Sequence, residues 1–145
     1  MRVLILATLS LVLLLSCWSG IVQAYISCSN PARAMGNWLG RDQECAALVQ
    51  SQCNLPGWTD YWRPGAHVGS NCNNIPPLTA IATFLGPYGT YDTPNLSQHS
   101  AIFIRCEPQG IRVFDQWRGQ PISMRLIPWR GWNQNAGKNY YTIAT

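Results

Sequence analysis

Charge is scarce in this sequence. Only 11% of its 145 residues are Asp, Glu, Lys or Arg, and Lys138 is the single lysine. The other basic residues are arginines, scattered rather than blocked, so the basic runs of a nucleic-acid-binding surface are missing. Histidine is scarcer still, with His67 and His99 alone. Two histidines and six carboxylates are a thin supply for a hydrolytic zinc site, and no metal or other cofactor is expected. Internal repeats, low-complexity tracts and linkers are absent, which leaves one folded unit. Beyond the N-terminus no apolar run reaches membrane length, so no membrane partner is expected.

The N-terminus itself is apolar. Met1-Arg2 gives a short positive start, Val3 to Leu15 is almost wholly hydrophobic, and Val22-Gln23-Ala24 supplies small residues at a cleavage spacing. This pattern predicts a secretory signal peptide over 1–24 and a single secreted, extracellular domain over 25–145. A lipoprotein reading, with Cys17 lipidated after Leu14-Leu15-Ser16, fits less well because Leu15 is a poor match. Loss of Arg2 with the signal lowers the formal net charge of +4 by one. The remaining positive balance suits an anionic partner such as a bacterial wall without selecting it. A monomer is expected, and the sequence names no inhibitor protein.

Removing Cys17 from the six cysteines leaves Cys28, Cys45, Cys53, Cys72 and Cys106. Five is odd, so in an oxidising compartment one thiol must be free or paired between chains. Two internal bridges and one free thiol is the simplest solution. The pairing Cys53 with Cys72 and Cys28 with Cys106 is the expectation, the first tethering a long irregular segment to a helix end. Four cysteines nevertheless allow three connectivities.

Residues 42–52, "DQECAALVQSQ", read as a helix with Asp42 as N-cap and Asn54-Leu55-Pro56-Gly57 as its stop. Residues 54–77 are rich in Gly, Pro, Asn and Trp and read as one long irregular segment. "LTAIATFL" (78–85) reads as a buried strand. "QHSAIFIRC" (98–106) and "GIRVFDQW" (110–117) flank the turn sequence Glu107-Pro108-Gln109-Gly110 and predict an antiparallel hairpin. Further strands are expected over 123–129 and 139–145. One helix followed mostly by strands predicts an α+β fold, the helix laid on an antiparallel sheet.

With Asp42 as N-cap, Cys45 falls in the first turn of the helix, where free N–H groups and the helix dipole favour a thiolate. Asp42 and Glu44 oppose that field, so a nucleophilic cysteine would also need a base. His99, at the entry to an apolar strand, is the candidate; His67, among loop formers, reads as a surface residue. A third group should orient the imidazole. Asp115 on the returning strand is preferred and Gln116 is the fallback, because sequence does not fix the register to one residue. Trp62 and Trp117 are the cleft-lining candidates, joined by Gln43 and Gln116 as substrate-binding candidates.

"GRDQECAALVQ" (40–50), "WRPG" (62–65), "AIATF" (80–84), "QHSAIFI" (98–104) and "GIRVFDQW" (110–117) carry a resemblance. Together they are similar to the amidase effectors of bacterial type VI secretion systems, a branch of the papain-like NlpC/P60 superfamily, over roughly residues 36–130. With its signal peptide and extra cysteines the chain most resembles the domesticated amidase effector 2 family of ticks and mites. The resemblance implies a papain-like fold and a Cys–His pair, Cys45 and His99, that hydrolyses peptidoglycan peptide crosslinks. The implied bond lies between D-alanine and meso-diaminopimelate, with extension to lysine-type walls, and the implied role is antibacterial. Cys28, Cys53, Cys72 and Cys106 depart from the family as extracellular staples, and Asn95-Leu96-Ser97 adds a glycosylation sequon near His99. The alternative is a disulfide-stapled module that grips wall or glycan without cutting it, in which Cys45 would be bridged.

Overall fold

A computed structural model describes residues 24–91 and 97–145. The sequon residue Asn95, Cys17 and all but the last residue of the expected signal peptide lie outside the described residues. Helix α1 (Cys45–Cys53) is followed by strand β1 (Arg63–His67), the single-turn helix α2 (Val68–Asn71) and strand β2 (Thr79–Thr83). Strands β3 (Ser100–Glu107), β4 (Gly110–Trp117), β5 (Gln120–Pro128) and β6 (Tyr140–Ala144) complete the fold. The six strands form one sheet in the order β1-β6-β2-β3-β4-β5, and every pairing is antiparallel.

Alternation along the strands builds two cores. On one face, Ile102, Phe114, Ala80, Ala82 and Ile143 pack against Leu48 and Val49 of α1. On the other, Ile81, Ala101, Phe103, Ile111, Val113 and Ile127 pack against Val68, Ile75 and Tyr140. Strand β2 is buried at all five positions because it lies inside the sheet with both faces covered, which is why its sequence shows no polar alternation. The β3–β4 hairpin turns where expected, with Glu107 opposite Gly110. Gly110 is required by crowding: a Cβ there would collide with the Ile127 carbonyl of β5.

The segment 54–77 holds more order than the sequence suggests. Strand β1 contains Pro64 and Gly65 and pairs only with β6, and an edge strand is where proline's missing N–H costs no ladder bond. Its register slips between Pro64 and His67. His67 is half-buried rather than a free surface residue: it caps α2, accepting from the Ser70 N–H, and its Nε2 sits 2.7 Å from the Lys138 carbonyl.

The disulfides correct the expected pairing. The bridges are Cys28–Cys53 and Cys72–Cys106, not Cys53–Cys72 and Cys28–Cys106. The sheet is the reason. Cys53 ends α1 on one face, while Cys72 and Cys106 pack with the core on the other. The N-terminal arm runs beside the end of α1, where the Ser29 N–H donates to the Gln52 carbonyl at 2.7 Å, bringing Cys28 to Cys53. Among the described residues, Cys45 is the free cysteine, and it is buried.

Candidate active site

Cys45 opens α1. Glu44 is the N-cap and makes no side-chain capping bond; Asp42 accepts from the Glu44 N–H at 2.9 Å one step earlier. The cap therefore falls at Glu44 rather than Asp42, and Cys45 is the first helical residue rather than the third. Cys45 thus stands in the first turn, whose N–H groups have no intrahelical partner. Asn54 ends the helix in the left-handed conformation, with φ 51°.

A buried glutamine fixes where the helix begins. Gln116 Nε2 donates to the Leu39 carbonyl at 2.8 Å and the Glu44 carbonyl at 3.0 Å, while its Oε1 accepts from the Leu39 N–H at 3.0 Å. Between these anchors Gly40 has φ 92°, and a Cβ there would collide with the Ala47 backbone. Gln116, a substrate-binding candidate by sequence, is fully buried and does not line the cleft beside Cys45 and His99. It ties α1 to β4.

His99 immediately precedes β3, only 5% exposed, and its N–H donates to Thr83 Oγ1 at 3.0 Å. Its Nε2 lies 2.8 Å from Oδ2 of the fully buried Asp115. Alternation on β4 sends Asp115 to the face shared by Ile111 and Val113, and Gln116 to the face of Phe114 and α1. The register left open by sequence is thereby resolved in favour of Asp115. The same carboxylate oxygen accepts from Arg125 Nε on β5 at 2.6 Å, whereas Oδ1 has no partner among the described residues.

With Nε2 committed to Asp115, Nδ1 is the ring nitrogen available to Cys45. Burial raises the Cys45 thiol, but hydrogen bonding and positive charge from His99, with Tyr91 and the Ser100 backbone, outweigh it and lower the pKa to about 7. Burial lowers the His99 pKa, yet the hydrogen bond it donates to Asp115 and the partnership with Cys45 raise it to about 9. Between those values the pair is a thiolate facing an imidazolium. Tyr91 joins the site without any signal in the sequence. Its hydroxyl lies 3.5 Å from Cys45 Sγ and 3.4 Å from Ser100 Oγ. Burial holds that phenol well above its ordinary pKa, so it remains a proton donor to the sulfur.

Cys45 and His99 line a cleft of about 370 Å³ with Glu44, Gln98, Trp117, Arg125, Gln134 and Asn135, while Asp115 and Tyr91 stand behind it. Trp117 is in this wall, edge-on to His99 with ring centroids 6.1 Å apart. Trp62 is not: it is fully buried in the α1 core, its ring centroid 5.0 Å from that of Tyr91. Gln43 is exposed and lies outside the cleft lining. Arg125, Gln134 and Asn135 have no sequence signal, since they come from β5 and the loop before β6 and meet the cysteine only through the fold. Among the described residues no cluster of three or more His, Cys, Asp or Glu side chains could hold a metal, and no helix is long and apolar enough to cross a membrane.

A cysteine-bearing helix laid on an antiparallel sheet, with a histidine at the strand entry opposite it, defines the papain-like class of NlpC/P60 type. A solved structure of this class, "Type 6 secretion amidase effector 2 (Tae2)", superposes with a TM-score of 0.67 at 26% identity, covering 80% of this chain and 92% of its own. A family profile described as "Domesticated amidase effector 2" matches residues 17–143. The tick protein "Domesticated amidase effector 2" of Ixodes scapularis is 44% identical over 124 residues, spanning 81% of this chain and 84% of its own length. The "Type VI secretion amidase effector 2 protein" of Salmonella typhi is 36% identical over 88 residues, 61% of this chain and 63% of its own. The chain belongs to the domesticated amidase effector 2 family, related to the type VI amidase effectors, and is an amidase by that membership.

Proposed function

We propose that this protein is a secreted antibacterial peptidoglycan amidase in which Cys45 is the nucleophile, His99 the acid–base and Asp115 the orienting carboxylate. The supporting observation is the unbridged Cys45 thiol at the start of α1, facing a histidine that Asp115 holds from behind. A binding module with a bridged Cys45 would have no use for that arrangement.

The steps follow from the protonation states. The Cys45 thiolate attacks the carbonyl of the crosslink amide, forming a C–S bond, and the oxyanion gathers near the Cys45 N–H at the helix start. The C–N bond breaks as the His99 imidazolium gives its proton to the leaving amine. Water then attacks the thioester carbonyl as His99 takes one of its protons, and the C–S bond breaks, returning the Cys45 thiolate and releasing the acyl group as a carboxylic acid that loses its remaining proton to solvent. Asp115 stabilises the imidazolium that is present before the first transfer and re-formed by the second, and it keeps Nδ1 turned to the sulfur.

The substrate assigned is the D-alanine to meso-diaminopimelate crosslink, with the protein acting as an extracellular monomer. The test is incubation of the mature protein with purified sacculi of diaminopimelate and lysine crosslink types, and identification of the products by mass. Crosslinked dimers should fall to monomeric muropeptides in the diaminopimelate wall. Sacculi left intact, with the protein folded, would overturn the assignment.

A further inference from the structure

Only one nitrogen of the Arg125 guanidinium is used by the described residues: Nε donates to Asp115 Oδ2. No hydrogen bond to its Nη1 or Nη2 is found among them. The side chain is about a quarter exposed and lines the cleft beside Cys45 and His99. Its guanidinium lies over the Trp117 ring at 5.1 Å, so the fork is held by an ion pair on one edge and an aromatic plane on its face. The other charged groups of the cleft are accounted for. Asp115 is paired with His99 and Arg125, and Glu44 is paired with Arg118 at 3.0 Å. Among the described residues, Arg125 therefore presents an unspent pair of donors in the geometry that fits a carboxylate.

We propose that Arg125 is a specificity-determining residue that reads a free carboxylate on the substrate adjacent to the scissile amide. This rests on the proposed amidase reading. In a diaminopimelate crosslink, the carbon bearing the amide nitrogen also carries a carboxylate, the group that would reach the Arg125 fork while the carbonyl faces Cys45. The substrate class is thus a peptide amide flanked by an unmodified carboxylate. Amidation of that carboxylate removes both charge and one acceptor while leaving the size nearly unchanged.

The experiment compares two crosslinked muropeptide dimers that differ only at that group, carboxylate against carboxamide. For the wild type, kcat/KM should favour the carboxylate roughly 10- to 100-fold, the scale of one or two charge-assisted hydrogen bonds. In Arg125→Gln the ratio should collapse toward one. If Arg125→Gln fails to fold, Arg125→Lys, which keeps the charge but not the fork, must show a reduced ratio. An arginine that merely steadied Asp115 would instead lower kcat on both dimers alike and leave the ratio intact, and that result overturns the proposal. Equal cleavage of both dimers by the wild type also overturns it. A wild type that cuts neither dimer defeats the amidase reading itself, which is a separate failure.

Discussion

His99, at the entry to β3, and Asp115 of β4 meet with their Nε2 and Oδ2 atoms 2.8 Å apart, both side chains buried. The pairing depends on register alone, since a slip of one residue would exchange Asp115 for Gln116. Asp115→Asn keeps the size and removes the charge. It is expected to lower kcat by about 100-fold or more by losing the support for the imidazolium. The same substitution should bring the alkaline limb of the pH–rate profile down from about 9, because the Asp115 hydrogen bond is the largest influence holding the His99 pKa up. A kinetic profile of the variant checks both effects.

The wild-type pH dependence has a sign that can be worked out. The reactive form is thiolate with imidazolium. Activity should rise as pH passes the Cys45 value of about 7 and fall as it passes the His99 value of about 9. The profile of kcat/KM should be a bell with its plateau between them. A flat profile across that range would contradict the ion pair.

Tyr91→Phe removes the hydroxyl 3.5 Å from the sulfur without changing the ring that packs against Trp62 and Phe84. The thiolate loses a donor, so the Cys45 pKa should rise. The acid limb should move up by about half to one pH unit. Rates of alkylation by iodoacetamide against pH measure this directly.

Gln116→Ala removes three hydrogen bonds that tie the start of α1 to β4. A loss of about 1–3 kcal/mol of stability is expected from the buried backbone groups left unpaired. Urea denaturation measures it, and activity should fall further than stability alone requires because Cys45 loses its fixed position.

The bridges make a covalent expectation. Mass mapping without reduction should recover Cys28 with Cys53 and Cys72 with Cys106, closing loops separated by 25 and 34 residues. Replacing either pair by alanines should cost about 3 kcal/mol in the chain-entropy account. Thiol labelling of the native, oxidised protein should find Cys45.

Strands β2 to β6 announce themselves in the sequence through β-branched runs and a turn signal, and Cys45 and His99 through helix-start and strand-entry positions. Other features depend on long-range register or on which side of the sheet a segment lies. Sequence periodicity does not separate Asp115 from Gln116. Spacing along the chain leads to the wrong disulfide pairing, because it says nothing of which face carries Cys53 or Cys72. Trp62 reads as cleft wall for a related reason, since tryptophan fills cores as readily as it lines sites. Tyr91 and Arg125 come near the sulfur only through the tertiary fold, from the segment after β2 and from β5.

The most direct test of the central claim is made on Cys45→Ala, with its fold verified by circular dichroism and thermal melting. Incubated with diaminopimelate-type sacculi beside the wild type, it should release no muropeptides, while the wild type converts dimers to monomers. Release by the variant at anything near the wild-type rate would contradict the assignment of Cys45 as nucleophile.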